Sequence, residues 1–183
     1  MAQDSSDPGF ASRPEVLRSC QGCHGANGNS EATSTPRLNG QQSEYMIARL
    51  KGFSDATRNN PHSQLGMFKE LPSQSKATEI SVANYFAGGL ATGSKPGIHA
   101  AEGKHIYENG LAAENVVACS LCHGPQGEGH DATPRIVGQH SDYLKAQLQL
   151  FNLKFRQHVL MNPNTNTMSG KTVDALTSYL ANE

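Results

Sequence analysis

The residues best suited to chemistry in this chain form two copies of the pentapeptide C-x-x-C-H. They stand at residues 20–24 (CQGCH) and 119–123 (CSLCH) and contain all four cysteines of the 183-residue sequence. In this pattern two thiols one helical turn apart each form a thioether with a haem vinyl group, and the adjacent histidine lies beneath the iron. The sequence therefore predicts two covalently bound c-type haems, attached through Cys20, Cys23, Cys119 and Cys122, with His24 and His123 as proximal iron ligands.

A zinc site or a redox-active dithiol is the competing interpretation of the paired cysteines. Zinc motifs do not require a histidine directly after each second cysteine. A four-cysteine zinc site would also have to unite two segments that lie 99 residues apart. We therefore favour haem.

An internal repeat supports this interpretation, because the two halves of the chain are copies of one unit. The segment PRLNGQ at 36–41 aligns with PRIVGQ at 134–139, at an offset of 98 residues. The same offset pairs Ser43, Tyr45, Phe53 and Arg58 with Ser141, Tyr143, Phe151 and Arg156, and an offset of 94 pairs Val82, Tyr85 and Phe86 with Leu176, Tyr179 and Leu180.

Composition and charge exclude several classes of protein. Apolar residues make up 36% of the chain and aromatic residues 6%, with no tryptophan, which is lean for two units of about 90 residues unless a haem adds apolar surface. The net charge of −1 excludes a nucleic-acid-binding surface. No apolar run is long enough for a membrane span, and the polar start is not a signal peptide. Because haem attachment takes place outside the bacterial cytoplasm, we expect a periplasmic protein whose leader has been removed.

Glycine, proline and asparagine residues interrupt the periodic stretches of the sequence at short intervals, which predicts short helices and no convincing strand. We expect helices containing the C-x-x-C-H motifs from Pro14 and from Ala100 or Ala101, and helices N-capped by Ser43 and Ser141. The last helix of each half should end near residues 87 and 181. The predicted domains are 1–90 and 98–183, joined by a linker at 91–97.

The doubled C-x-x-C-H-G, the doubled P-R-x-x-G-Q and the aromatic-bearing terminal helices together resemble dihaem cytochromes c of the cytochrome c4 type. The resemblance covers nearly the whole sequence. It implies an all-α fold of two tandem class I cytochrome c domains, a histidine and a methionine on each iron, and transfer of single electrons.

The distal methionines follow from spacing within that resemblance. Met67 lies 18 residues before Tyr85 and Met161 lies 18 before Tyr179, so we choose these two. Met168, only 11 residues before Tyr179, is the alternative in the second half; core packing is the other interpretation for it and for Met46. Histidine ligation by His62 or His158 is a minor alternative.

Residues around the haem come from the same repeat. In class I cytochromes c a proline carbonyl at this distance orients the proximal histidine, which implies Pro36 and Pro134 here. Buried propionates need charged or amide donors, and the candidates are Arg37, Arg135, Gln41 and Gln139. The remaining histidines, His99, His105, His130 and His140, are expected at the surface.

We expect one-electron transfer from a dehydrogenase or a quinol-oxidising complex to an acceptor such as a terminal oxidase. The rival hypothesis is a dihaem oxidoreductase, such as a peroxidase or a sulfur-compound oxidoreductase, with one labile distal ligand. It draws on the polar segment 162–167 (NPNTNT), which replaces FKELPS at 68–73. A third possibility is an electron-transfer subunit bound permanently to a catalytic partner.

Overall fold

The computed structural model describes residues 15–55, 57, 67, 75–91 and 99–181. The chain divides into two compact units, Met1–Thr92 and Gly93–Glu183. Among the described residues the regular structure is helical, without a β-strand and with three isolated β-bridges. The all-α prediction is confirmed.

The first unit contains three helices within the described residues: α1 (Glu15–His24), α2 (Ser43–Ser54) and α3 (Lys76–Ala87). Helix α3 packs against both α1 and α2. Buried apolar side chains from the three helices form a core cluster, which comprises Leu17, Met46, Val82, Ala83 and Phe86. Met46 therefore packs in the core, as the sequence predicted.

The second unit is built around helix α8 (Gly170–Leu180), which packs along α4 (Ala100–Asn109) and α6 (Ser141–Asn152). Two shorter helices, α5 (Ser120–His123) and α7 (Met161–Thr165), and a 3-10 turn (Ala112–Glu114) complete it. The core cluster comprises Ile106, Tyr107, Val116, Leu144, Met168, Val173, Ala175, Leu176 and Leu180.

The helix predicted to contain the second C-x-x-C-H motif ends too early, and that prediction was wrong. Helix α1 contains the first motif, but α4 ends at Asn109 and the second motif lies on the separate helix α5. Gly110 stops α4 with a φ of 76°, a left-handed conformation that favours glycine. A nine-residue insert, 110–118, follows, and its turn is closed by a bridge between Leu111 and Val116.

The predicted serine N-caps were also wrong. Ser43 and Ser141 are the first helical residues of α2 and α6, and the cap positions belong to Gln42 and His140. The hydroxyl of Ser43 instead donates to the side-chain oxygen of Asn84 on α3, at 2.5 Å. This contact depends on the packing of two helices, so local sequence does not predict it.

Serine caps occur instead at the last helix of each unit. The side-chain oxygens of Ser75 and Ser169 accept the backbone N–H of Thr78 and Thr172, each at 3.2 Å. Helix α3 ends at residue 87 and α8 ends one residue before 181, as predicted.

Candidate haem sites

Each C-x-x-C-H histidine is buried and hydrogen-bonded to the carbonyl of a proline. The Nδ1 of His24 lies 2.8 Å from the Pro36 oxygen, and the Nδ1 of His123 lies 2.9 Å from the Pro134 oxygen. A carbonyl can only accept, so Nδ1 is the protonated nitrogen in both rings. The second nitrogen, Nε2, is therefore left with its lone pair available to a metal.

Burial keeps both imidazoles neutral. It lowers the pKa of His24 and of His123, and the hydrogen bond to the proline carbonyl opposes that shift only in part. In the second unit the nearby His130 and His158 lower the pKa of His123 further. A neutral imidazole is the form that binds a metal, so the environment suits a proximal ligand.

Equivalent backbone contacts hold the two proline segments in place. The carbonyl of Gly28 accepts the N–H groups of residues 38 and 39 at 2.6 and 3.1 Å, and that of Gly127 accepts those of residues 136 and 137 at 2.8 and 3.1 Å. The N–H of Gly40 donates to Phe86 on α3, and that of Gly138 donates to Leu180 on α8. These backbone hydrogen bonds thus fix the segment that follows each acceptor carbonyl relative to a terminal helix.

The four cysteines differ in exposure in the same way in both units. Cys20 and Cys119 are partly buried, while Cys23 and Cys122 are exposed. Cys119 packs against the core of its unit. Within the described parts of the chain no three histidine, cysteine or acidic side chains converge to hold a metal ion. A helical thiol pair followed by a buried neutral imidazole fits a covalent haem.

The predicted propionate donors lie beside the proline segments. Gln41 and Gln139 are buried, and the side-chain oxygen of each accepts the backbone N–H of the next residue, at 2.9 and 3.1 Å. Arg135 is half-buried: its Nε donates to the carbonyl of residue 137 at 3.0 Å, and burial lowers the pKa of its guanidinium. Arg37 is partly exposed. These positions are compatible with binding of the haem propionates, which stays a prediction.

One histidine differs from the sequence expectation. His99, His105 and His130 are exposed, but His140 is only 2% exposed and that prediction was wrong. It follows the buried Gln139 and occupies the N-cap position of α6, so its burial depends on where that helix begins.

The candidate distal methionines occupy different environments. Met161 is partly exposed and begins α7, whereas Met168 is 8% exposed and packs in the core of the second unit. That packing favours the core interpretation of Met168. Met67 is helical and partly exposed, and its sequence neighbours lie outside the described residues, as does His62. His158 is exposed, and its Nδ1 faces the N–H groups of residues 160 and 161 at 3.3 and 3.4 Å.

The polar segment after Met161 is fixed by side-chain hydrogen bonds that sequence reasoning missed. The amide of Asn162 donates to the carbonyls of Phe151 and Arg156 at 2.7 and 2.8 Å. The hydroxyl of Thr165, a fully buried residue, donates to the carbonyl of Met161 at 2.8 Å. The asparagines and threonines of this segment therefore satisfy backbone groups. The many asparagines and threonines of 162–167 were visible in the sequence, but we interpreted them as a sign of a labile loop.

Comparison with known proteins gives consistent matches. A family model described as cytochrome c matches residues 100–182. Cytochrome c-552 of Acidithiobacillus ferridurans is 31% identical over 98% of this chain and 81% of its own. The thiosulfate dehydrogenase electron acceptor of Thiomonas intermedia (strain K12) is 35% identical over 76% of this chain and 65% of its own. The structure of cytochrome c4 from Acidithiobacillus ferrooxidans superposes with a TM-score of 0.84 at 31% identity, covering 89% of this chain and 98% of that one.

These matches, together with the two haem-attachment motifs, place the chain in an electron-transfer class of haem proteins. The chain belongs to the cytochrome c family, as a dihaem cytochrome c of the cytochrome c4 type. It contains two covalently bound haem c groups, one for each C-x-x-C-H motif. None of the helices described has the length and apolar character needed to cross a membrane.

Proposed function

We propose that this chain is a periplasmic carrier of single electrons with a histidine and a methionine on each iron. The ligand pairs are His24 with Met67 in the first unit and His123 with Met161 in the second. The observation that supports this assignment best is the repeated geometry of the proximal imidazole, which is buried, neutral and directed by a proline carbonyl in both units.

The haem iron supplies a one-electron couple when bound, and the chain determines how rigidly it is held. The hydrogen bond from Nδ1 to the proline carbonyl fixes the orientation of each imidazole ring. The carbonyls of Gly28 and Gly127 accept N–H groups of the segment that follows each of these prolines, in both units. A fixed ligand geometry needs little rearrangement between oxidation states, which suits a carrier better than an enzyme that must open a coordination position.

The partners we propose are a dehydrogenase or a quinol-oxidising complex as donor and an acceptor such as a terminal oxidase. The name of the Thiomonas relative, an electron acceptor of thiosulfate dehydrogenase, supports a dehydrogenase as the donor. The net charge of −1 gives little long-range steering, so we expect weak, transient complexes. Fractionation of the native host, with a periplasmic and a cytoplasmic marker enzyme, tests the compartment.

Absorption spectroscopy of the holoprotein tests the ligand sets. The ferric protein should show the weak near-infrared band of methionine-sulfur ligation at two-haem intensity, and carbon monoxide should leave the reduced spectrum unchanged. Met161→Ala should halve the band, and the matched variant Met168→Ala should keep it. A two-haem band that survives in Met161→Ala but halves in Met168→Ala would refute the choice of Met161.

A dihaem oxidoreductase is the second candidate, because the relative named for thiosulfate dehydrogenase belongs to the same family. Such an enzyme needs one iron with an open or exchangeable position. The hydrogen bonds of Asn162 and Thr165 to the carbonyls of neighbouring residues favour a fixed ligand segment instead. A spectral shift of one haem with carbon monoxide would favour the enzyme over the carrier.

A further inference from the structure

The insert 110–118 of the second unit contacts the segment that begins at Met161. The backbone N–H of Val117 donates to the side-chain oxygen of Asn164 at 2.6 Å, and the amide nitrogen of Asn164 approaches the Val117 carbonyl at 3.5 Å. These two residues are 47 positions apart in sequence. The contact therefore joins the insert to α7, the helix that Met161 begins.

A second contact joins the insert to the other end of the same segment. The carboxylate of Glu114 accepts the backbone N–H of Ser169, the N-cap residue of α8, at 2.8 Å. The hydroxyl of Thr167 donates to the Glu114 carbonyl. The segment 161–169 is thus tied to the insert at α7 and again at the start of α8.

We propose that the insert 110–118 positions the distal-ligand segment of the second haem, with Glu114 and Asn164 as positioning residues. The inference rests on the proposed function, in which Met161 is the distal ligand. Within the described residues the first unit has no equivalent, because α1 runs from Glu15 through the cysteine pair without interruption. The insert therefore acts on one of the two haems.

The expected consequence is a ligand segment that opens less readily. A thioether leaves the iron only if its segment moves, and that movement must break the contacts of Asn164 and Glu114. Loss of one such hydrogen bond should make opening, and hence replacement of the thioether by an added ligand, about fivefold more favourable.

Titration of the ferric holoprotein with imidazole, followed by loss of the near-infrared band, measures this opening. Each haem should contribute half of the band intensity. Asn164→Ala and Glu114→Ala should each lower the apparent dissociation constant of imidazole about fivefold at one haem and leave the dissociation constant at the other haem unchanged. Glu114→Gln keeps an acceptor oxygen and should restore the wild-type value. Met161→Ala should retain only the band of the first haem. Titration of this variant therefore shows which half of the wild-type band belongs to which haem.

Matched controls separate positioning from general loosening. Asn109→Ala removes an amide that donates to the carbonyl of His105 within α4, and Glu108→Ala removes a surface pairing with Lys104. Neither variant should change imidazole binding.

Unchanged binding in Asn164→Ala and Glu114→Ala, or an equal shift of both halves, would overturn the positioning role while the ligand assignment stood. A wild-type band of one-haem intensity would overturn both that assignment and this inference.

Discussion

The substitution Gly103→Ala should destabilise the second unit, because Gly103 lies where α4 crosses α8. A Cβ added at this position would meet the carbonyl oxygen of Ala175 at 2.0 Å and the Cβ of Tyr179 at 2.8 Å. Ordinary contact begins near 3.4 Å, so the two helix backbones would have to separate by about 1 Å or more. The obstructing oxygen belongs to the backbone of α8 and cannot rotate away.

The magnitude follows from two opposing effects. Overpacking of a well-packed interior costs about 1–3 kcal/mol, and a backbone clash of this size belongs at the upper end. Replacing glycine by alanine within a helix returns about 1 kcal/mol. The net loss in free energy of unfolding is therefore about 2 kcal/mol, which lowers the Tm of a unit of this size by about 8–16 °C.

Thermal unfolding of the holoprotein, followed by circular dichroism and by Soret absorbance, measures this loss. The matched control is Gly170→Ala on α8, where an added Cβ meets nothing within 4 Å. It should leave the free energy of unfolding unchanged or raise it by up to about 1 kcal/mol, because alanine favours a helix more than glycine does. If Gly103→Ala and Gly170→Ala had the same Tm, the close crossing of α4 and α8 would be refuted.

Three further predictions concern single contacts of the second unit. Ser169→Ala should lower the free energy of unfolding by about 1 kcal/mol, because it removes the N-cap of α8. Ser141→Ala should lower it by less than about 0.5 kcal/mol, because the hydroxyl of Ser141 does not cap α6. Denaturant unfolding of the two variants measures both values. Tyr107→Phe should cost about 1 kcal/mol by loss of the hydrogen bond to the Gly124 carbonyl, and equal stability of the two proteins would contradict this. The bond from Ser169 lowers the pKa of Glu114, so its contribution should be present above about pH 4.5 and lost as the pH falls through the lowered value; thermal melts of Glu114→Gln against pH should lack that dependence.

The proximal side of each site could be predicted from sequence because it is local and repeated. The cysteine pair and its histidine form one short segment, and the proline follows at a distance of 12 residues in the first unit and 11 in the second. Both the fold class and the haem content followed from this repetition. The positions of the proline carbonyls could not be predicted from sequence, because they depend on backbone hydrogen bonds to the terminal helices.

The features that sequence did not predict are set by contacts between distant segments. The hydroxyl of Ser43 does not cap α2 but donates to the side chain of Asn84, which lies 41 residues away in sequence. The break after α4 occurs at Gly110, which takes a positive φ, and the turn that follows is closed by the bridge between Leu111 and Val116. The polar composition of 162–167 suggested mobility, because composition does not show that Asn162 and its neighbours satisfy backbone carbonyls.

The two sites are alike on the histidine side, and in the second unit the segment that begins at Met161 is bound to the insert 110–118. Both imidazoles are buried, and their bonds to proline carbonyls are 2.8 and 2.9 Å long, so the donor strength of the proximal ligand should be nearly equal. The potential of a haem also depends on its distal ligand and on the surrounding hydrogen bonds. Because Glu114 and Asn164 tie the segment of Met161 to an insert that the described part of the first unit lacks, we expect a difference in potential between the haems to originate on the distal side.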